Sequence, residues 1–255
     1  MNAILRVENV TKEFGGVQAV ADLSFAIDAG RIHSIIGPNG AGKTTLFNLI
    51  TGVYTPTSGR IRLGDDDITA LPTAARAARG IQRTFQNLQI FLNMTALENV
   101  MVGRHLALKP RFLSSLFRLP AMARADRETE EQAVDLMHYV GLGAWIDADA
   151  DAMPYGALKR LEIARALAAH PKLLLLDEPA AGLNPVETAS IDELIKKIAR
   201  GGTTVVLVEH DMKLVMGVSD HILVLDYGKK LAEGSAAEVR VNPDVIRAYL
   251  GAGAA

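Results

Sequence analysis

The sequence has no cysteine, few aromatic residues and no long hydrophobic run. Without cysteine, disulfides, thiol catalysis and thiolate metal sites are excluded, and a reducing compartment is favoured. No apolar stretch reaches the roughly 18 residues of a membrane-spanning helix, and the first residues lack the layout of a signal peptide. The net charge of −2 argues against a large surface for nucleic acid. We therefore expect no nucleic-acid partner, and we expect any association with a membrane to depend on another protein.

What the sequence does contain is an α/β pattern. Its 255 residues suffice for one large domain, or for a domain with a sub-domain. Early in the chain, strands separated by turns are predicted at residues 4–14, 24–27, 31–36 and 60–63. Later, buried strands alternate with amphipathic helices, and these strands are predicted at residues 173–176, 203–208 and 222–225. Such alternation favours a mainly parallel sheet covered by helices.

The middle of the chain is different, because residues 87–170 have few strand-like runs. Helices are predicted there at residues 128–140 and 158–169. We therefore predict an α/β core formed by residues 1–86 and 171–255, interrupted by a helical sub-domain.

One segment of this middle region, residues 109–124, mixes cations with apolar side chains. Those that stand out are Arg111, Phe112, Leu116, Phe117 and Arg118. The segment is interpreted either as a solvated insertion or as a docking or membrane-surface element, and the sequence leaves both interpretations open.

Residues 37–44 fit the pattern G-x-x-x-x-G-K-[ST] of a phosphate-binding loop. Glycines allow backbone N–H groups to approach phosphate oxygens, and the helix predicted after the loop directs its positive end at them. Lys43 supplies a cation for the β- and γ-phosphates, and Thr44 a hydroxyl for Mg²⁺. An accidental glycine-rich turn is disfavoured, because a strand is predicted before the loop and a helix after it. The candidate nucleotide-binding residues here are Gly37, Pro38, Asn39, Gly40, Ala41, Gly42, Lys43, Thr44 and Thr45.

Two acidic residues follow the apolar strand at residues 173–176. Asp177 can hold Mg²⁺, usually through water, and the adjacent Glu178 can orient or deprotonate an attacking water. Alone, the two could form a solvated turn before Pro179. The phosphate-binding loop favours the functional interpretation.

Three more residues are candidates that depend on this context. His210 follows the strand at residues 203–208, where a neutral imidazole can hydrogen-bond the γ-phosphate or simply cap a strand–helix turn. The amide of Gln86 can reach Mg²⁺ or the attacking water. Phe14, near the end of the first predicted strand, can stack on an adenine ring or serve as a core or turn aromatic.

In their order along the chain, these residues resemble an ABC-type ATPase, and the resemblance spans nearly the whole sequence. Residues 153–160 stand where the family has its signature loop, and residues 181–184 where it has its D-loop. The resemblance implies a P-loop NTPase fold with a RecA-like core, an antiparallel β sub-domain and an inserted α-helical sub-domain. It also implies ATP hydrolysis with Mg²⁺. The implied catalytic residues are Lys43, Gln86, Glu178 and His210, and the implied metal ligands are Thr44, Gln86 and Asp177.

The resemblance further implies a head-to-tail pair of ATP-binding subunits with two ATP molecules between them. Tyr155, Gly156 and a helix that begins near Leu158 would present backbone N–H groups to the ATP of the partner. Pro154 and Ala157 depart from the family's L-S-G-G-Q, and proline offers neither hydroxyl nor N–H. Two interpretations stay open: a normal variant of the loop, or one weakened ATP site.

Several segments also resemble the ATP-binding subunits of branched-chain amino acid importers, and this resemblance implies a role in the import of branched-chain or other amino acids. They are residues 7–16, 83–88, 94–100, 109–127, 176–185 and 242–251. Such a subunit would be peripheral on the cytoplasmic face of the inner membrane. It would work with a second ATP-binding subunit in a homo- or heterodimer, with membrane permeases and, indirectly, with a periplasmic binding protein. The alternatives are an ATPase of lipopolysaccharide export, an ABC ATPase outside transport, and a regulatory module with little hydrolysis.

Overall fold

The computed structural model describes residues 3–104 and 120–251. Most of the segment at residues 109–124 therefore lies outside the described residues, and both interpretations of it stay open. Among the residues that are described, no helix is both long enough and apolar enough to cross a membrane.

The chain forms two compact units. The first comprises Met1–Arg83 and Lys172–Ala255 and contains two β-sheets. The second is Thr84–Pro171 and consists of helices and turns in its described part. The sub-domain borders predicted after residues 86 and 170 lie within three residues of the ends of the second unit, Thr84 and Pro171. The α/β fold class predicted from the alternation of strands and helices is confirmed.

The smaller sheet is antiparallel. Its four strands are β1 (Ala3–Phe14), β2 (Val17–Asp28), β4 (Ser58–Leu63) and β5 (Asp66–Asp67). They lie in the order β2-β1-β4-β5. β1 and β2 form one long hairpin, and the strand predicted at residues 24–27 was too short. The cause is several register shifts between β1 and β2, which break the alternation of apolar and polar residues that marks a strand in the sequence.

The larger sheet is mainly parallel. Its six strands are β3 (Ile32–Ile36), β6 (Ile81–Arg83), β7 (Leu173–Asp177), β8 (Thr204–Val208), β9 (His221–Asp226) and β10 (Lys229–Gly234). They lie in the order β10-β9-β3-β8-β7-β6, and only β9 and β10 are antiparallel neighbours. Every residue of β3, β7 and β8 is buried, as expected for parallel strands covered on both faces. β10 was missed because its polar sequence shows no apolar alternation.

Nine α-helices are present in the described part of the chain. They are α1 (Lys43–Thr51), α2 (Thr73–Ala77), α3 (Ala96–Gly103), α4 (Pro120–Tyr139), α5 (Tyr155–Leu167), α6 (Pro185–Arg200), α7 (Met212–Val218), α8 (Ala236–Val241) and α9 (Pro243–Gly251). α3, α4 and α5 belong to the second unit. In the first unit, α1 packs its apolar side chains into a core that also receives residues of both sheets.

Two helix boundaries in the second unit differ from the predicted ones. The helix expected to begin near Leu158 begins at Tyr155, because the extended Pro154 at its N-cap is the last residue that breaks helical geometry. It ends at Leu167, two residues before the predicted end at residue 169. The helix predicted at residues 128–140 begins earlier, at Pro120, and ends at Tyr139.

A buried arginine closes the end of α1. Arg76, which is 1% exposed, donates from Nη1 to the carbonyls of Leu49 and Ile50 at 2.5 and 2.9 Å. Its other nitrogens donate to the carbonyls of Leu71 and Thr69, each at 2.9 Å. Burial lowers the Arg76 pKa to about 10, so the side chain stays charged at neutral pH. One side chain thus satisfies carbonyls at the end of a helix that lack helical partners.

Replacing Arg76 with alanine is expected to lower the free energy of unfolding by about 3 kcal/mol, because buried carbonyls lose a charged donor. Urea unfolding followed by circular dichroism measures this change. The matched control is Arg79→Ala, since Arg79 is exposed and its Nη1 atom donates to the carbonyl of Ala75 at 3.0 Å. It should change stability by about 0.5 kcal/mol or less. Equal losses in the two variants would contradict this role of Arg76.

Candidate functional site

Three loops leave neighbouring strands at the carboxyl edge of the larger sheet. β3 leads into the phosphate-binding loop, β8 leads to His210, and β7 ends at Asp177. Ile35 of β3 and Asp177 of β7 both pair with Val208 of β8, so the three strands end at the same level. Ligands of open α/β sheets bind at this edge. The structure therefore brings together the predicted phosphate-binding loop, the predicted acidic residues and the predicted histidine.

Two glycines of the phosphate-binding loop have no room for a side chain. Gly37 has a φ of 153°, and a Cβ there would lie 2.2 Å from the carbonyl oxygen of Leu225 in β9. Gly42 caps α1 with a φ of 96°, and its Cβ would lie 2.5 Å from the carbonyl oxygen of Ala19 in β2. The loop is thus packed against strands of both sheets. At its end, the first N–H groups of α1 lack acceptors within the helix and are free to bind an anion.

Lys43, the first residue of α1, folds back over the loop. Its ammonium donates to the carbonyls of Gly37 and Pro38, at 2.7 and 3.0 Å. Burial lowers the Lys43 pKa, and the nearby carboxylates of Glu178 and Asp177 oppose that shift. The cation is therefore bound to the loop and is attracted by the charges of both acidic residues.

A buried cation holds Asp177. Arg83, at the end of β6, donates from Nη2 to Asp177 Oδ2 at 2.6 Å, and the two side chains are only 6% and 8% exposed. The Nη1 atom of Arg83 donates to Asn48 Oδ1 of α1 at 2.6 Å, and the guanidinium lies 5.4 Å from the centre of the Phe47 ring. Arg83 thus connects the carboxylate of β7 to the helix that follows the phosphate-binding loop. The sequence reasoning did not single out Arg83.

The oxygen donors that Mg²⁺ prefers are present in this unit. Thr44 is exposed in the first turn of α1, and Asp177 offers a carboxylate of which Oδ2 accepts from Arg83. Mg²⁺ usually keeps several waters and takes one or two protein oxygens, so this donor set fits it. Gln86, the third predicted ligand, is an exposed residue of the second unit, and its metal role stays a prediction.

Glu178 and His210 are in direct contact. Oε1 of Glu178 lies 2.7 Å from Nε2 of His210, and their side chains are 16% and 48% exposed. Glu178 has a φ of 49°, an uncommon value for a residue with a side chain, and its N–H donates to the carbonyl of Val208 at 2.9 Å. Backbone strain of this kind clusters at functional sites, where the surrounding structure maintains it.

The predicted adenine-stacking residue belongs to a small aromatic cluster. Phe14 is 42% exposed and packs edge-on against Tyr54, with the ring centres 5.1 Å apart. The ammonium of Lys12 lies 5.0 Å from the centre of the Phe14 ring and 5.8 Å from that of Tyr54. An exposed ring in this cluster can stack on a planar ligand. The sequence reasoning missed Tyr54, because it lies far from Phe14 along the chain.

In the second unit, α5 holds the loop that carries Gln86. Glu162, which is 3% exposed, accepts the N–H of Phe85 at 3.2 Å and that of Gln89 at 3.4 Å. The ammonium of Lys159 lies 3.5 Å from the carbonyl of Gln86. Burial raises the Glu162 pKa, and the two backbone donors oppose that shift. The position of the loop thus depends on side chains of α5.

The predicted signature residues form the start of α5. Tyr155 is 45% exposed and Gly156 is buried, and both lie in the first turn of the helix rather than in a loop before it. Pro154 at the N-cap donates and accepts no side-chain hydrogen bond. The expected placement of Tyr155 and Gly156 ahead of the helix is therefore corrected.

Two further groups, the buried Glu209 and the partly buried Tyr249, contact the loops of the first unit and were not predicted. Glu209 precedes His210 and accepts backbone N–H groups. Tyr249 of α9 hydrogen-bonds to the backbone of Gly37, and burial raises its pKa to about 12. The last helix of the described chain therefore contacts the phosphate-binding loop.

Two protein-family models match the chain. One, described as ABC transporter, matches residues 20–181, and the other, described as branched-chain amino acid ATP-binding cassette transporter, matches residues 229–255. The chain is 48% identical to the high-affinity branched-chain amino acid transport ATP-binding protein BraF of Pseudomonas aeruginosa and 46% identical to LivG of Escherichia coli. Each match covers 97% of this chain and 98% of the relative. The lipopolysaccharide export system ATP-binding protein LptB of Escherichia coli is 34% identical, over 98% of both chains.

Solved structures of ATP-binding cassettes share the architecture. The ADP conformation of MJ1267, a cassette of an ABC transporter, has a TM-score of 0.85 and 33% identity, covering 98% of this chain and all of that one. The post-hydrolysis dimer of the cassette MJ0796, bound to ADP and Pi, has a TM-score of 0.77 and 26% identity, covering 91% of this chain and 98% of that one.

Replacing Arg83 with methionine is expected to lower the free energy of unfolding by about 3–5 kcal/mol, because Asp177 keeps a buried charge without its cation. Urea unfolding measures the change. The control is Lys196→Met, which removes an exposed ion pair with Glu193 and should cost about 1 kcal/mol or less. A loss in the Arg83 variant no larger than in the control would contradict the assigned role.

Proposed function

The chain belongs to the ABC transporter family, and on that basis we propose that it binds and hydrolyses ATP to power an importer of branched-chain amino acids. The observation that best supports hydrolysis is the contact between Glu178 and His210 beside the phosphate-binding loop. A module that only bound nucleotide would have no need of a glutamate on a strained backbone, paired with an imidazole, at this edge of the sheet.

We propose that residues 37–45 bind the phosphates of ATP. Lys43 would exchange the carbonyls of Gly37 and Pro38 for the β- and γ-phosphates, since a phosphate oxygen is the stronger partner for an ammonium. The N–H groups at the start of α1 would face the same oxygens. Phe14, supported by Tyr54, would stack on the adenine ring. The remaining proposed contacts are Pro38, Asn39, Gly40, Ala41, Thr44 and Thr45.

Thr44 and Asp177 would hold Mg²⁺, with Gln86 as a further ligand, and the ion would neutralise charge on the transferring phosphoryl group. Glu178 would orient the attacking water and accept its proton. His210 would hold the Glu178 carboxylate through the 2.7 Å contact and hydrogen-bond the γ-phosphate. Arg83 keeps the Asp177 carboxylate in place, because it is the buried counter-charge of that carboxylate.

We further propose that two ATP-binding subunits pair head to tail, as homo- or heterodimer. Tyr155, Gly156 and the N-terminus of α5 would then complete the site of the partner. The post-hydrolysis dimer of the related cassette MJ0796 supports such pairing. The pair would lie on the cytoplasmic face of the inner membrane, bound to permease subunits. A periplasmic binding protein would deliver the solute to those permeases. The identity of 46–48% to BraF and LivG favours amino acid import over lipopolysaccharide export, where the identity is 34%.

Glu178→Gln tests the proposed chemistry and the proposed solute together. The amide cannot accept the proton of water, so turnover should fall about a hundredfold or more while ATP still binds. Phosphate release measures turnover, and the fluorescence of a labelled ATP measures binding. In cells that carry only this variant, uptake of radiolabelled leucine should be lost.

The matched control is Glu193→Gln, which changes an exposed carboxylate of α6 and should leave both readouts at the wild-type level. Persistent turnover in the Glu178 variant would exclude Glu178 as the base. If turnover is lost while uptake of leucine, isoleucine and valine stays normal, the proposed ATPase activity is supported and the proposed solutes are excluded.

A further inference from the structure

A buried carboxylate next to the Glu178–His210 pair has no part in the proposed chemistry. Glu209 lies between β8 and His210 in the sequence and is 4% exposed. Its Oε1 accepts the N–H of Ala180 at 2.9 Å, and its Oε2 accepts the N–H of His210 at 3.0 Å. One carboxylate therefore joins the loop that follows β7 to the loop that follows β8.

Keeping this carboxylate buried is unfavourable in itself. Desolvation raises the Glu209 pKa and the nearby charge of Glu178 adds to the shift, while the N–H groups of Ala180, His210 and Asp211 oppose it. An uncharged side chain of similar volume would avoid the cost of desolvation. What the carboxylate provides instead is two acceptor oxygens, one for each loop, in a site without access to solvent.

The two loops also meet through the residues that would do the chemistry. The N–H of Glu178 donates to the carbonyl of Val208, and the Glu178 and His210 side chains meet at 2.7 Å. The second of these contacts must adjust when water and phosphate arrive. The Glu209 contacts involve main-chain groups on both sides, so they can stay in place while the reacting side chains move.

We propose that Glu209 is a positioning residue for ATP hydrolysis. It fixes the backbone of His210 relative to the backbone two residues beyond Glu178, and so keeps the Glu178 carboxylate and the His210 imidazole within contact distance. The inference rests on the proposed function and adds a residue to its machinery. Glu209 acts through Glu178 and His210 and does not touch ATP.

Glu209→Gln in the full chain tests the proposal. Glutamine has nearly the same shape but one acceptor oxygen, so either Ala180 or His210 would have its N–H facing an NH₂ group. Because small displacements of reacting groups reduce rates steeply, kcat should fall about tenfold to a hundredfold. The KM for ATP should stay within about twofold, since the phosphate-binding loop is untouched.

A second readout separates positioning from a general loss of structure. In protein labelled with ¹³C-histidine, the ring signal of His210 should move in the Glu209 variant, while those of His33 and His221 stay in place. The matched control is Glu233→Gln, which changes another carboxylate of the first unit that accepts from His221 and Lys230. This control should move the His221 signal and leave kcat unchanged.

A wild-type kcat in Glu209→Gln would overturn the proposal, and so would a His210 signal that does not move. Should that variant not fold, Glu209→Asp carries the same test, because its shorter carboxylate cannot reach both loops at once. A lower kcat at unchanged KM supports the proposal, and an unchanged kcat overturns it. If Glu178→Gln hydrolyses ATP normally, the proposed function fails instead, and the histidine signals still report whether Glu209 positions His210.

Discussion

The parallel register of β3, β8 and β7 is the constraint on which the rest of the site depends. These three strands are adjacent in the larger sheet, and both outer ones pair with Val208 at their ends. Each is short, mostly apolar and buried throughout, so a slip in register would move the core residues together with the loops. Because the strands end together, the phosphate-binding loop, the acidic residues and His210 share one edge although they are distant in the sequence.

Buried polar side chains then fix the loops at this edge. Arg83 joins Asp177 to α1, Arg76 closes the C-terminal end of α1, and Glu209 joins the loops that carry Glu178 and His210. Each of these groups is charged and desolvated, and each is matched by several partners with good geometry, as buried charges require. The positions of the groups proposed to react are thus set by the surrounding structure before any nucleotide binds, which is what preorganised electrostatic catalysis needs.

The family, the fold class and the positions of the main motifs could be predicted from the sequence, because each motif directly follows a continuous apolar run. Gly37, Asp177 and His210 are recognisable in this way. Arg83, Glu209 and Tyr54 were missed, because their roles depend on partners that are distant in the chain: Arg83 and Asp177 are 94 residues apart, and Glu209 and Ala180 are 29 apart. The start of α5 was misplaced for a local reason, since a helix can begin directly after Pro154 without any capping side chain.

The central claim is that this edge of the sheet binds the phosphates of ATP between Lys43 and the Glu178–His210 pair. The most direct measurement is a crystal structure of the chain with Mg²⁺ and a non-hydrolysable ATP analogue. The account predicts that Lys43 leaves the carbonyls of Gly37 and Pro38 for the β- and γ-phosphates, and that Asp177 keeps its contact with Arg83. A bound nucleotide with Lys43 still on both carbonyls, or with the γ-phosphate remote from Glu178 and His210, would contradict it.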